Sequence, residues 1–399
     1  MRIAEISVHG CPFRPLGSKD TGGMNVYVQQ LSLELGRVGV EVDVFTRWHD
    51  PKEPEVVAIG ERAHLIHIVA GEQEDVPKLD IYQRLPQFLD NLRRFMERKG
   101  LEYDLVHSHY WLSAWAAEQL KAETGIPHVA TFHTLGAVKN RARPSEMEPE
   151  LRIDTERKAI AAADRIIAFT AEERADLIGI YGASADRVSI IPCGIDLGLF
   201  HPWDKQKARS ELGIDDSKVL LFAGRIEPIK GIDILLRAMA CLANGEELRL
   251  LVVGGDSASA DEVARLCSLA RALGIEDRVT FFGAVEHGRM PLFYNAADVC
   301  VVPSYYESFG LVAAEALACG TPVVASRVGG LATIVKDGDT GYLVDGPSHE
   351  AFAQCLELLL AEEELRRRMA AAARSSVMKY AWPAVARRVL HVYGEVTGL

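Results

Sequence analysis

Apolar residues recur along this chain in two alternating rhythms. Short apolar runs bounded by polar residues (RIAEISV, EVDVFTR, DLVHSH, HVATFH, RIIAFT and RVSIIP) read as strands. Between several of them lie stretches with helical spacing. One starts at about Gly23 and carries Val26, Val28, Leu31, Leu33 and Leu35. Strand, helix and strand in this order form a β-α-β unit, and such units build parallel sheets. The rhythm breaks at CGIDLGLFHPWDKQKARSELGI, where Gly, Pro and charge leave no clean period, and residues 193–214 read as a linker. It then resumes with KVLLFAGRI, LRLLVVGG, RVTFFG, VCVVPS and PVVAS, separated by helical stretches such as GIDILLRAMACLA and GLVAAEALACG. The final WPAVARRVLHVYGEV is one more helix, which the pattern alone assigns to neither half. The expectation is an α/β chain of two successive Rossmann-like halves. Open parallel sheets bind ligands outside the carboxyl ends of their strands, so halves that face each other would place the site in a central cleft.

Length agrees, since 399 residues exceed one ordinary core. The formal charge of −12 argues against a nucleic-acid partner with a broad basic face. It leaves room for a small anionic substrate held by a few local cations. Seven dispersed cysteines with no CxxC pair suggest a reducing compartment and no disulfide framework. MRIAEISVHG reads as a strand rather than a signal peptide, and no apolar run reaches the roughly 18 residues of a spanning helix. The expected location is cytoplasmic.

Three stretches offer chemistry. Gly22 and Gly23 stand where a loop, DTGGMN, gives way to a helix. Glycine there serves either a left-handed turn or the close approach of an anion to free helix N–H groups. The spacing is neither GxGxxG nor a Walker loop, so a nicotinamide cofactor is poorly supported. In GRIEPIKG, Arg225 and Lys230 are five apart across a strand-to-helix turn, where their heads can converge on a pyrophosphate; the plain alternative is two solvated charges. In PSYYESFGLVAAEALACGTPVV, Glu307 precedes a helix that begins near Gly310, and Glu315 lies inside it. Carboxylates accept hydrogen bonds from sugar hydroxyls. Glu315 sits between alanines in an apolar helix, so it should be buried and must then have partners. His107, His109, His128 and His133 fall on neighbouring strand ends, but no Cys or carboxylate completes a zinc set. The DGD at Asp337 and Asp339 reads as turn chemistry. No metal is expected.

Together GGMNVYV, HSHYWLSAW, FHTL, GRIEPIKG and ESFGLVAAEALACGTPVVAS resemble the GT-B retaining glycosyltransferases of family 4, over almost the whole chain and in order. The resemblance implies a nucleotide-sugar donor, no cofactor and no metal for donor binding. Carried over by position, Arg225 and Lys230 hold the donor pyrophosphate and Glu315 takes the ribose hydroxyls. Glu307 takes hydroxyls of the transferred sugar, with the backbone of Phe309, Gly310 and Leu311. Gly23 approaches the pyrophosphate, and His133 lies beside the donor sugar. The catalytic set is then His133, Arg225, Lys230 and Glu307. The family's last helix crosses back, which implies an acceptor domain of residues 1–198 with 382–399 and a donor domain of 199–381.

Within the family, GGMN, HSHYW and FHTLGAVKN look most similar to bacterial inositol-phosphate N-acetylglucosaminyltransferases of mycothiol synthesis. That likeness implies an acceptor phosphate held by Lys78, Tyr110, Thr134 and Arg152, with Asn25 a further acceptor contact. Arg152 is followed by Ile153 where that branch tends to paired arginines. Sucrose-phosphate synthases, which use fructose 6-phosphate, are near kin; they more often show Gln where Met24 stands.

The implied reaction is retaining transfer of a glucose- or N-acetylglucosamine-type hexosyl group, with a UDP-linked donor, to a small phosphorylated acceptor. No residue of the N-terminal motifs nominates itself as a carboxylate nucleophile, so front-face displacement with the leaving phosphate as base fits better than double displacement. Two domains on a linker predict hinge closure. Alternatives are a sugar-nucleotide epimerase on the same fold, a periplasmic-type binding protein, and a peripheral transferase with a lipid acceptor touched by KNRAR (139–143), a run read first as a solvated loop. The sequence leaves homodimerisation open.

Overall fold

The computed structural model describes residues 1–14, 22–145, 147–242 and 248–399. Asp20 and Thr21 of the DTGGMN stretch lie outside the described residues. The chain divides into two compact units. Unit 1 comprises Met1–Arg14, Gly23–Gly194 and Trp382–Leu399; unit 2 is built on Ile195–Ala381.

Unit 1 is built on an eight-stranded sheet: β1 (Arg2–Ile6), β2 (Glu41–Arg47), β3 (Val56–Ala58), β4 (Ala63–Ile68), β5 (Leu105–His109), β6 (His128–Thr131), β7 (Arg165–Ala168) and β8 (Val188–Ile190). Their order is β3-β4-β2-β1-β5-β6-β7-β8, and every pairing except β3 with β4 is parallel. The chain first builds outward from β1 on one side and then, from β5, on the other. That reversal makes the β1/β5 boundary a topological switch point, where ligands of open α/β sheets bind. The register sets Glu5 beside His107, so the polar side chains of two central strands share one layer.

Unit 2 repeats the plan with six parallel strands: β9 (Lys218–Ala223), β10 (Leu248–Val253), β11 (Val279–Gly283), β12 (Val299–Val302), β13 (Val323–Ser326) and β14 (Gly341–Val344), in the order β11-β10-β9-β12-β13-β14. Its switch point lies between β9 and β12. The strands are near-continuous apolar runs because helices cover both faces of a parallel sheet. Leu220, Phe222, Leu235, Leu250, Val301 and Phe352 form part of that core.

The last helix, Trp382–Thr397, packs on unit 1. The Trp382 ring lies 5.5 Å from that of Tyr27, and the Tyr393 hydroxyl is 2.7 Å from His107 Nδ1. Gly194 is required there, because a Cβ at that position would sit 2.1 Å from the Trp382 ring.

Three sequence expectations need correction. VVA and AHLIHI form β3 and β4, which the strand reading passed over; β3 is an exposed three-residue edge, and polar His64 and His67 interrupt β4. The stretch read as a linker contains a helix, Lys205–Leu212, capped by Asp204 and anchored through Arg209, which donates to Asp298 at 2.8 Å. The basic run 139–143 lies largely in the helix Gly136–Ala142, with Lys139 on Glu148 and Arg141 on Asp176. All seven cysteines are free, and Cys11, Cys193, Cys300 and Cys319 are buried. Among the described residues, no helix is long and apolar enough to cross a membrane.

Candidate functional site

The turn after β9 leads through Arg225 into the short helical turn Pro228–Lys230, closed by Gly231 at φ 69°. A Cβ on Gly231 would lie 2.1 Å from the Pro303 carbonyl oxygen, so glycine lets this turn press against the end of β12. The result places Lys230 Nζ 2.6 Å from Glu307 Oε1, which also accepts from the Ser304 hydroxyl at 3.1 Å. Arg225 donates to Glu227 at 2.8 Å. The loop around Glu307 is fixed from behind by Gly330, whose N–H donates to the Glu307 carbonyl at 3.0 Å. Gly310, at φ 96°, opens the helix Leu311–Ala318 and presents its first-turn N–H groups beside that loop.

Glu315 is buried, as its alanine-rich setting requires, and it has the partners that burial demands. Tyr294 donates its hydroxyl to Oε2 at 2.8 Å, and His287 Nε2 lies 3.0 Å from Oε1. Burial opposes charge on His287, but its hydrogen bond to Glu315, with the charges of Glu315 and Asp196, outweighs that and raises its pKa. Burial, reinforced by the Glu315 charge, pushes the Tyr294 phenol well up, so it remains a donor. Sequence reasoning predicted that Glu315 has partners but named neither, because they come from the distant segment 287–294. The donor-side residues Arg225, Lys230, Glu307, Phe309, Gly310, Leu311 and Glu315 all fall in unit 2, on the turns after β9 and β12 and the helix that follows.

In unit 1 the neighbouring strands β5 and β6 end in unusual backbone. Among the described residues, Tyr110 (φ 76°) and His133 (φ 62°) are the non-glycine residues in the left-handed region. Such strain costs about 1–3 kcal/mol per residue and concentrates at functional sites. The Tyr110 ring lies 4.4 Å from that of His9, 4.8 Å from Arg152 Cζ and 5.6 Å from Lys78 Nζ. Arg152 donates through Nη2 to Thr134, at 2.8 Å to the carbonyl and 3.0 Å to the hydroxyl. It also donates to Glu156 at 2.7 Å and faces Glu148 at 3.0 Å. Burial disfavours the Arg152 charge, but Tyr110, Glu156 and Glu148 together raise its pKa. Lys78, Tyr110, Thr134 and Arg152, scattered over 75 positions, are therefore gathered at one end of the sheet. Glu148 and Glu156, which orient Arg152, were missed by the sequence reading.

Asn25 is buried and donates from Nδ2 to the Cys11 carbonyl at 2.7 Å. Its amide thus holds the turn after β1. Gly23 begins the helix Gly23–Arg37 and is not among the glycines of positive φ, so it serves no left-handed turn.

The histidines also differ from expectation. His128 turns to Ser108, at 2.7 Å, and does not join the other three. His109 Nδ1 lies 3.1 Å from His133 Nε2, and a carboxylate absent from the sequence reading, Glu5, stands 3.8 Å from His109 Nε2. Glu5, His107 and His109 have donor atoms within 4.8 Å of one another, brought together by the β1/β5 register. His107 is already engaged by Tyr393 at 2.7 Å and Thr131 at 2.9 Å. Ser32 Oγ lies 2.7 Å from both the Val28 carbonyl and Glu5 Oε2. One hydroxyl proton satisfies both only if Glu5 carries its own, in keeping with burial, which pushes the Glu5 pKa up to about 8. Burial, then the neighbouring histidines, hold His109 and His133 well below the ordinary value and hence neutral.

Residues 21–199 match the family described as Glycosyltransferase Family 4, and residues 204–376 match Glycosyl transferases group 1. The chain is 43% identical to the D-inositol 3-phosphate glycosyltransferase of Xylanimonas cellulosilytica, over 99% of this chain and 97% of the relative. It is 41% identical to the protein of the same description from Corynebacterium efficiens, over 100% and 96%. Among solved structures, the sucrose-phosphate synthase of Thermosynechococcus elongatus superposes with a TM-score of 0.93 at 36% identity, covering 100% of this chain and 99% of that one.

Proposed function

The chain belongs to the family 4 glycosyltransferases of GT-B fold, and we propose that it moves a hexosyl group, with retention, from a UDP-linked sugar to a hydroxyl of a small phosphorylated acceptor such as inositol phosphate. The observation that carries this reading is the gathering of Lys78 and Arg152 about the Tyr110 ring, with Thr134 held by Arg152. Two cations, a hydroxyl and a phenol suit a phosphate, because Arg offers a planar fork and Lys a point charge. The names of the curated relatives support inositol 3-phosphate as that acceptor.

On the donor side, Arg225 and Lys230 hold the pyrophosphate and stabilise the charge that grows on the leaving phosphate. Removing one such group commonly costs about 10²–10³ in rate. Arg225 pairs with Glu227 and Lys230 with Glu307, so a pyrophosphate held by these cations competes with two carboxylates. Glu307 then turns to the sugar hydroxyls, and the N–H groups of residues 309–311 complete that end. Glu315 accepts from the ribose while Tyr294 and His287 hold its carboxylate in place. Glu5 is wholly buried, and burial pushes its pKa up to about 8, which makes it a poor nucleophile and favours front-face attack with the leaving phosphate as base. His133, held neutral, lines the sugar. None of these steps assigns a role to a metal. All seven cysteines are free, which suits a reducing compartment, and we place the enzyme in the cytoplasm.

The likeness to sucrose-phosphate synthase favours a second acceptor, fructose 6-phosphate. A matrix of UDP-, GDP- and ADP-sugars against inositol phosphate, fructose 6-phosphate and their unphosphorylated forms decides. The expected product is a glycoside of a phosphorylated acceptor, with the plain acceptors nearly inert. Equal turnover of plain inositol overturns the phosphate site, and a labelled epimer without a glycoside overturns transfer.

A further inference from the structure

Outside the substrate clusters, unit 1 gathers a thiol, an imidazole and a carboxylate, the three ligand types zinc takes, from three segments. Cys11 lies in the turn after β1, Glu53 in the turn between β2 and β3, and His67 on β4. His67 Nε2 stands 3.9 Å from Cys11 Sγ and 3.1 Å from Glu53 Oε2, and all three donor atoms lie within 4.8 Å of one another. Zinc bonds of about 2.3 Å to sulfur and 2.0 Å to nitrogen or oxygen give tetrahedral edges of about 3.3–3.5 Å, which the two separations from His67 bracket.

Protons explain why the set calls for a cation. His67 Nδ1 lies 2.7 Å from the Pro54 carbonyl, which can only accept, so Nδ1 carries a proton. In the neutral ring Nε2 then turns its lone pair toward Cys11 and Glu53. A backbone carbonyl on the far ring nitrogen is the usual support of a metal-bound histidine. The plain alternative is an imidazolium–carboxylate ion pair. Against it, Glu53 Oε2 is shut off from solvent yet accepts no hydrogen bond, so the close approach of His67 does not satisfy it. A cation bound by both groups removes that deficit. His49 is the fourth candidate: its Nδ1 lies 3.6 Å from the same Glu53 oxygen. Trp48 stacks on His67, at 6.0 Å between centroids, and steadies the ring.

We propose that Cys11, Glu53 and His67, closed by His49, form a structural site for one zinc ion. Binding displaces the Cys11 thiol proton to solvent and leaves no open coordination position, so the ion is a staple and not a catalyst. It ties the turn after β1 to the β4 side of the sheet. The Cys11 carbonyl receives Asn25 of the helix Gly23–Arg37, so the staple also braces the start of that helix.

The test uses the full chain without a histidine tag, stripped with chelator and titrated with zinc against a colorimetric competitor, then with cobalt. About one zinc per chain is expected, with a near-ultraviolet thiolate-to-cobalt band in the wild type. Cys11→Ser should lose the band, and His67→Gln should weaken zinc by roughly 100-fold or more. Glu5→Gln, which alters the other buried histidine cluster, should keep both. Circular dichroism establishes folding of each variant, and the wild-type cobalt band needs no variant. A wild type with no such band, unchanged zinc affinity in folded Cys11→Ser, or zinc lost in folded Glu5→Gln overturns the site.

Discussion

Arg152 is almost fully buried, and four groups converge on it: Thr134, Tyr110, Glu148 and Glu156. Arg152→Ala should cost about 3–5 kcal/mol of stability in denaturant titration, because it leaves the wholly buried Glu156 without its cation. Activity of that variant therefore says little about the acceptor. Lys78→Ala is the cleaner probe. It should raise the KM for phosphorylated acceptor about tenfold or more while kcat moves less, an effect that added salt should reduce. Glu315 allows a direct titration. Burial alone lowers the His287 pKa and Glu315 raises it, so in Glu315→Gln the His287 pKa should fall below the wild-type value. Nitrogen-15 NMR of the imidazole reads this, and an unmoved pKa would remove Glu315 as the cause.

At the scale of elements, the turns after β9 and β12 act as one piece. Gly231 is pressed on the Pro303 carbonyl, and Gly330 lies where a Cβ would come within 2.0 Å of the Phe309 carbonyl oxygen. Gly231→Ala combines a left-handed backbone with a backbone clash and should cost at least ~2 kcal/mol. It should also raise donor KM, since it pushes Lys230 away from Glu307; unchanged donor KM would separate the turn from the site. GRIEPIKG and the two carboxylates around Gly310 place these residues at strand ends and helix starts by chain connectivity, whereas the Lys230–Glu307 pair, 77 residues apart, needs β9 beside β12. The helix Lys205–Leu212 was not legible. Its sequence, KQKARSEL, has almost no apolar face, and it is held by an Asp204 cap and the Arg209–Asp298 pair, the second reaching 89 residues along the chain.

At the scale of the molecule, buried ionisable groups set the pH range of unit 1. His107, His109, His128 and His133 are neutral in the fold, so below pH 6.5 the unfolded chain binds more protons and stability falls with acid. Glu5, at about 8, and Glu173, at about 7, act in the opposite sense. Between the ordinary value of 4.5 and these raised values the fold holds the extra proton, so their contribution falls as pH rises. Four histidines outweigh two carboxyls below about pH 6.5, and above it the histidine contribution fades until the carboxyls dominate. Stability from these groups should peak near pH 6.5 and drop by about 1 kcal/mol by pH 8. Glu5→Gln should flatten most of that drop in urea titrations at the two pH values. A fall of equal size in the variant would clear Glu5.

The sequence by itself determined what depends on near neighbours in the chain. The alternation of strand and helix, the break in that rhythm over residues 193–214, the family and the burial of Glu315 all follow from local period, composition and motif. Tertiary structure decided what depends on register and on contacts across the fold. Parallel pairing of β1 with β5 turned an incomplete histidine set into one with a carboxylate at its centre. Packing chose Tyr294 and His287 for Glu315, Glu148 and Glu156 for Arg152, and unit 1 for the final helix. The physical reason is the same in each case: a buried charge or proton must be matched, and the matching group is set by which strands and helices lie side by side.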